Sequence, residues 1–201
     1  MRKPNLAKPT PDLVRDWIAK FEEDEQPHLT DRAIAWLVSK LPLNENLEDV
    51  LLKVAAINSL YSTNIYAIYR VSQHICDLNI DSRLREGDPN LVEEIAHVKI
   101  SDEVERYNYS FATKYCSWHA PEMYPIYDRI AEQMIVWYQK DDAFAPKFTR
   151  QQLWEDYNLF RETIKAFRNH YGLNEFSFKQ LDKFLWKYGR KLGLGPKGQA
   201  Q

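Results

Sequence analysis

The chain has 201 residues, 44% of them hydrophobic and 28% charged, with a formal net charge of -2. That is long enough to close an apolar core without disulfides, and the charge excludes a protein that simply coats nucleic acid. No run of about 18 apolar residues occurs, and the start, Met-Arg-Lys-Pro-Asn-Leu-Ala-Lys-Pro, has no apolar signal core, so neither a membrane span nor secretion is expected and the protein is placed in the cytoplasm.

Apolar residues recur every three and four positions and no segment alternates cleanly as a strand, which predicts an all-α protein. The first helix is expected over Pro11–Phe21, with Leu13, Trp17 and Phe21 on one stripe and Pro11 at a first helical position. An acidic break at Glu22 to Gln26 and Pro27 ends it, and Thr30 is expected to cap a second helix through Leu41. Asn46 caps a third through Asn58. Ser62-Thr63-Asn64 interrupts an otherwise apolar stretch, and a helical pattern resumes from Ile65 to Leu78. Arg83 to Pro89 reads as a charged loop and Asn90 to Val98 as a short helix. Helices are then expected near Phe111 to His119 and from Asp128 to Gln139, the latter buried through Ile130, Met134, Ile135 and Tyr138. Two capping boxes, Thr149-Arg-Gln-Gln152 and Ser177-Phe-Lys-Gln180, open helices to His170 and Leu192, and Gly172 suits a left-handed helix end. From Arg161 to Gln201 there are nine Lys and Arg against three acids, a local charge of about +6.

The two cysteines, Cys76 and Cys116, lie inside apolar helical patterns and read as buried reduced thiols. The five histidines form no His-x-x-x-His pair, and Cys116-x-x-His119 is half of a metal site at best, so no metal and no cofactor are expected.

The stretch Ser110-Phe-Ala-Thr-Lys-Tyr-Cys-Ser-Trp-His119, followed by Pro121-Glu-Met-Tyr-Pro-Ile-Tyr-Asp128, carries the candidate chemistry. A lysine acts as a nucleophile at neutral pH only if its pKa falls by roughly three units, equivalent to about 4 kcal/mol against the charged form. Phe111, Tyr115 and Trp118 are placed to desolvate Lys114, and a first-turn position would add the positive end of the helix dipole. Asp128, at a helix start, is expected to stay ionised on the backbone N–H groups that it caps. On residue types alone, a lysine so placed is more often a solvated side chain and an aspartate before a helix most often just an N-cap.

Thr113-Lys114-Tyr-Cys, an intervening helix and Tyr124-Pro-Ile-Tyr-Asp128-Arg129 resemble the active-site segment of the helix-hairpin-helix DNA glycosylases, particularly their 8-oxoguanine branch. Ala56-Ile-Asn-Ser-Leu-Tyr-Ser-Thr-Asn64 resembles the polar helix end with which that family reaches the damaged base pair. The resemblance implies a two-lobed helical bundle with a cleft between the lobes, a single domain over 1–192 and a flexible tail over 193–201. It implies DNA as partner and a base-excision repair activity that flips an 8-oxoguanine-like base and cleaves its N-glycosidic bond. Lys114 would attack the sugar C1′ and Asp128 would stabilise the cationic sugar. Asn64, with Ser62, Thr113 and Arg129, would contact the nucleic acid, and Trp118, Phe184 and Trp186 would wall the base pocket. Residues Tyr107 to Thr113 hold no glycine where the family carries a glycine-rich hairpin. A non-catalytic module of the same fold, binding nucleic acid or a protein, is therefore the alternative.

Overall fold

Thr10 starts the first helix because its extended backbone lets the hydroxyl accept from the Leu13 N–H at 3.3 Å, and Pro11 follows where no N–H is needed. The structure, a computed structural model, describes residues 3–195. Among them are eleven α-helices and two short strands: α1 (Pro11–Glu22), α2 (Glu25–Lys40), α3 (Leu47–Tyr61), α4 (Ile68–Asp77), α5 (Asp81–Glu86), α6 (Asn90–Ala96), β1 (His97–Lys99), β2 (Glu105–Tyr107), α7 (Tyr109–His119), α8 (Arg129–Asp142), α9 (Arg150–Glu155), α10 (Tyr157–His170) and α11 (Phe178–Lys191). The mostly helical composition agrees with the expected all-α class.

The chain divides into two compact units. One takes the residues up to Glu25 and those from Tyr127 onward, and the other is Gln26–Ile126. In the first unit α11 packs on both α1 and α8, while α9 packs on α8 and α10. The buried face of α1 is Val14, Ile18 and Phe21, one position round from the expected stripe, and Trp17 lies half-buried, stacked on Tyr188 with ring centroids 4.9 Å apart. The Ala7 N–H donates to the Tyr188 hydroxyl and the Tyr138 hydroxyl donates to the Ala7 carbonyl, both at 3.1 Å, tying the segment before α1 to α8 and α11. Tyr138, Phe144, Phe167 and Tyr171 pack ring on ring behind α8, three of the pairs edge to face and Tyr138 tilted on Phe167. Much of the aromatic surplus is packing of this kind.

In the second unit α3 packs on α4 and α7, and α6 packs on α7. Arg83 joins the segments by donating to Asp88 and, bidentately, to Glu94, at 2.5 to 2.9 Å. Gly87 closes α5 in the left-handed region at φ 70, and a Cβ there would stand 3.2 Å from the Met123 sulfur, so two demands fix this glycine.

Several boundaries differ from expectation. Helix α2 begins at Glu25, not Thr30, because Pro27 falls among the first four positions, whose N–H groups have no helical partner. Asp81–Glu86, expected partly as loop, is helical. His97–Lys99 and Glu105–Tyr107 form an antiparallel pair in the register His97 to Tyr107, Val98 to Arg106 and Lys99 to Glu105. Strands of three residues are too short to show alternation. The single helix expected from Thr149 to His170 is two, since Asp156 is extended (φ -137, ψ 100) and its side chain accepts from the Leu159 N–H at 2.8 Å, capping α10 where it ends α9. The tail expected over 193–201 lies, from Pro196 on, outside the described residues.

Candidate active site

Helix α7 starts at Tyr109 after Asn108, whose side chain makes no capping bond. Lys114 therefore stands in the second turn, not the first, and the helix-end contribution expected for its amine falls away. What surrounds the amine instead is side chain. Lys114 is 5% exposed, its Nζ donates to the Ser110 hydroxyl at 2.7 Å and to the Ser110 carbonyl at 3.4 Å, and it lies 5.7 Å from the centre of the Tyr61 ring. Tyr61 donates its hydroxyl to Asp31 at 2.7 Å, and Trp118 tilts against the same ring at 6.4 Å. Helices α2, α3 and α7 thus bring a carboxylate, a phenol, an amine and a hydroxyl to one place in the second unit. Thr113 is fully buried, its hydroxyl bonded back to the Ser110 carbonyl at 3.1 Å.

The α3–α4 connection is held rather than loose. Asn58 accepts from the Ile65 N–H at 2.8 Å and the Thr63 hydroxyl at 2.9 Å, and donates to the Ile65 carbonyl at 3.0 Å. Ser62 and Asn64 both sit in the left-handed region (φ 51 and 61), a conformation asparagine tolerates and serine adopts at a cost. Both are exposed, and Tyr66 beyond them is 94% exposed.

Asp128 and Arg129 belong to the other unit. Asp128 is the N-cap of α8, with Oδ1 accepting from the Ile130 N–H at 2.7 Å and the Ala131 N–H at 3.4 Å. Arg129 is exposed. One turn on, the buried carboxylate of Glu132 accepts from the Tyr127 hydroxyl at 2.9 Å and from Arg150 at 2.6 and 3.0 Å, which clamps the start of α8. These charge-assisted bonds hold the Arg150 guanidinium protonated more firmly than usual, and burial pushes the Tyr127 phenol up. Phe184 has no exposed surface and stacks on Tyr188, so it is a core side chain, not an accessible wall for a base. Trp186 is half-buried at the edge of Phe21, with Arg190 5.9 Å above its ring.

Sequence reasoning missed a second buried lysine. Lys53 lies on the apolar stripe Val50, Val54 and Ile57 of α3 and has no exposed surface. Its three N–H groups reach the Leu41 carbonyl at 3.0 Å, the Leu43 carbonyl at 2.7 Å and Asn44 Oδ1 at 2.7 Å. Asn44 also takes the Tyr115 hydroxyl at 2.6 Å and donates to Asp81 at 2.6 Å. Burial, only partly opposed by the Asp81 and Asp49 charges, lowers the Lys53 amine to about 8. Its three donors are spent on two backbone carbonyls and the Asn44 side chain just after α2, which makes it a structural lysine. The signal was available: a charged residue on an otherwise apolar face.

His119 sits 5.0 Å from the Tyr115 ring, and burial together with the Lys53 charge lowers its pKa to about 3. Unfolded histidine protonates near 6.5, so the unfolded state binds a proton that the folded state refuses throughout the interval between the two values. Stability is therefore expected to fall as pH drops from about 6.5 toward 3, by up to about 1.4 kcal/mol per pH unit. Urea unfolding of His119→Asn across that range is expected to lack this part of the slope. An unchanged slope would show that the imidazole titrates normally.

Among the described residues, no group of three or more His, Cys, Asp and Glu side chains is placed to hold a metal ion, and no helix is long and apolar enough to cross a membrane. A depression of ≈ 420 Å³ in the first unit, lined by Gln139, Ala143, Lys147, Phe148, Thr149 and Gln152, contains none of the residues named for chemistry.

A family model described as HI_0787_N, N-terminal domain, matches residues 13–123. That range takes in Lys53, Asn64, Ser110 and Lys114 and stops short of Asp128. A Haemophilus influenzae protein described as an uncharacterized protein is 41% identical over 147 residues, covering 73% of this chain and 69% of the relative. No solved structure matches the chain. The chain belongs to the HI_0787_N family.

Proposed function

We propose that the protein is a base-excision DNA glycosylase with lyase chemistry, acting on an 8-oxoguanine-like base through Lys114. The observation that carries this reading is the state of Lys114: a lysine 5% exposed, against an aromatic ring, with its amine held at 2.7 Å on a hydroxyl. Lysines are almost never fully buried unless paired, and desolvation is one route by which an amine becomes nucleophilic. In this reading the Lys114 nitrogen forms a bond to C1′ as the C1′–N bond to the base breaks and the base leaves with a proton. Sugar-ring opening then gives a Schiff base. Asn64 on its fixed loop contacts the opposite strand, and Trp118 offers an aromatic face to an extruded base.

Sodium borohydride reduces a Schiff base to a stable amine. A covalent protein–DNA adduct is expected with 8-oxoguanine duplex, and Lys114→Gln is expected to lower its yield at least 100-fold. Absence of an adduct with wild type across oxidised, alkylated and abasic duplexes would leave the non-catalytic binding module as the reading. An adduct that persists in Lys114→Gln would assign the chemistry to another amine.

A further inference from the structure

Resting on the reading of Lys114 as the nucleophile, we propose that Ser110 is its positioning residue, its hydroxyl fixing where the amine nitrogen lies. A lysine side chain has four rotatable bonds, and a free one spreads its nitrogen over several ångström, which is too loose for attack at a single carbon. Ser110 is one helical turn before Lys114 on α7, and side chains in a helix lean toward the N-terminus, so the lysine folds back over the serine. The nitrogen then meets two oxygens of one residue, Oγ at 2.7 Å and the carbonyl at 3.4 Å.

The carbonyl is shared. It also receives the Thr113 hydroxyl at 3.1 Å, which leaves Oγ as the closer and more directional partner. From another side the Tyr61 ring lies 5.7 Å from the nitrogen and is itself anchored through its hydroxyl to Asp31. A ring face attracts the ammonium without direction, whereas the hydroxyl imposes one. A hydroxyl is also suited to both forms of the amine. It accepts from the ammonium, and it can donate to the lone pair or accept an N–H once the amine is neutral, so the contact survives the deprotonation that precedes attack. A carbonyl or a carboxylate can also accept an N–H from either form, but only the hydroxyl can donate to the lone pair.

The test uses the full chain and Ser110→Ala, Ser110→Thr and Lys114→Gln, with equal urea midpoints as the criterion of intact fold. Single-turnover borohydride trapping on duplex containing an abasic site isolates the amine step, since no base has to leave. Binding is measured separately on duplex containing tetrahydrofuran, which cannot form a Schiff base. Ser110→Ala is expected to slow trapping by about 10- to 100-fold while binding changes less than about threefold, and Ser110→Thr is expected to restore most of the rate. In parallel, protein labelled with carbon-13 at lysine Cε gives a Lys114 resonance assigned by its loss in Lys114→Gln. That resonance is expected to move toward the free-lysine position in Ser110→Ala and to return in Ser110→Thr. Wild-type trapping by Ser110→Ala, or a Lys114 resonance it does not move, would overturn the role of Ser110. Should no protein trap any DNA, the base-excision reading fails, and the resonance alone then decides whether Ser110 holds the amine.

Discussion

Replacing Lys53 with methionine is expected to lower the stability of the protein by about 2–4 kcal/mol, because it removes the donor that meets two carbonyls and an amide oxygen. Methionine fills the space but donates nothing. The Leu41 and Leu43 carbonyls lose their donor, and Asn44 keeps only its bond from Tyr115 on Oδ1. An acceptor left unmet costs about 1–3 kcal/mol when fully buried, and the Leu41 and Leu43 carbonyls, being part-buried, fall toward the lower end. Part of that loss is returned, because an ammonium no longer has to be dehydrated. The pH dependence separates the two effects. With the folded pKa near 8 and the unfolded value near 10.5, the folded state releases its proton first, so wild-type stability is expected to rise between pH 8 and 10.5 and to be flat in this respect in Lys53→Met. Urea midpoints at pH 7, 9 and 10.5 for both proteins measure it. A methionine variant as stable as wild type at pH 7 would show that the network is ornamental.

The second large effect is expected at Gly189, where α11 crosses α8. A Cβ at this position would stand 2.4 Å from Ile130 Cγ2 and 3.2 Å from Met134 Cγ, both side chains on the buried face of α8. Gly189 is helical, and alanine in an exposed helix would gain about 1 kcal/mol over glycine. Here the close approach reverses the sign. Gly189→Ala is expected to cost about 1–3 kcal/mol through overpacking. Ile130→Ala removes the opposing methyl, so the double variant is expected to be more stable than the sum of the single effects, a coupling visible in a double-mutant cycle of urea midpoints. Additive effects would mean that the helices part without cost.

What could be read from the residues was what depends on near neighbours. Asp128 as the cap of α8, the boxes at Thr149 and Ser177 and the left-handed Gly172 are each set within four residues, and each is found. Lys114 was placed in the wrong turn for the same reason in reverse: the first residues of α7 carry no capping side chain to mark the start. Lys53 escaped notice because a periodicity reading assigns charge to solvent, and only the distant Asn44, Tyr115 and Asp81 explain its burial. The Ser110–Lys114 contact has helical spacing and was legible in principle, but the amine also lies against Tyr61, which comes from another helix. Phe184 shows the opposite error, since an aromatic residue assigned to a pocket serves the core.

The unit that contains Asp128 is assembled from both ends of the chain, with Gln26–Ile126 between its parts. During synthesis α1 is made well before α11, the helix it packs on. Val14, Ile18 and Phe21 therefore stay uncovered while more than a hundred residues are added, at a rate of about 5–20 per second. The inserted unit, contiguous in the chain, can mature within that interval. For several seconds the nascent protein thus carries a folded lysine-bearing half beside a helix whose apolar face has no cover.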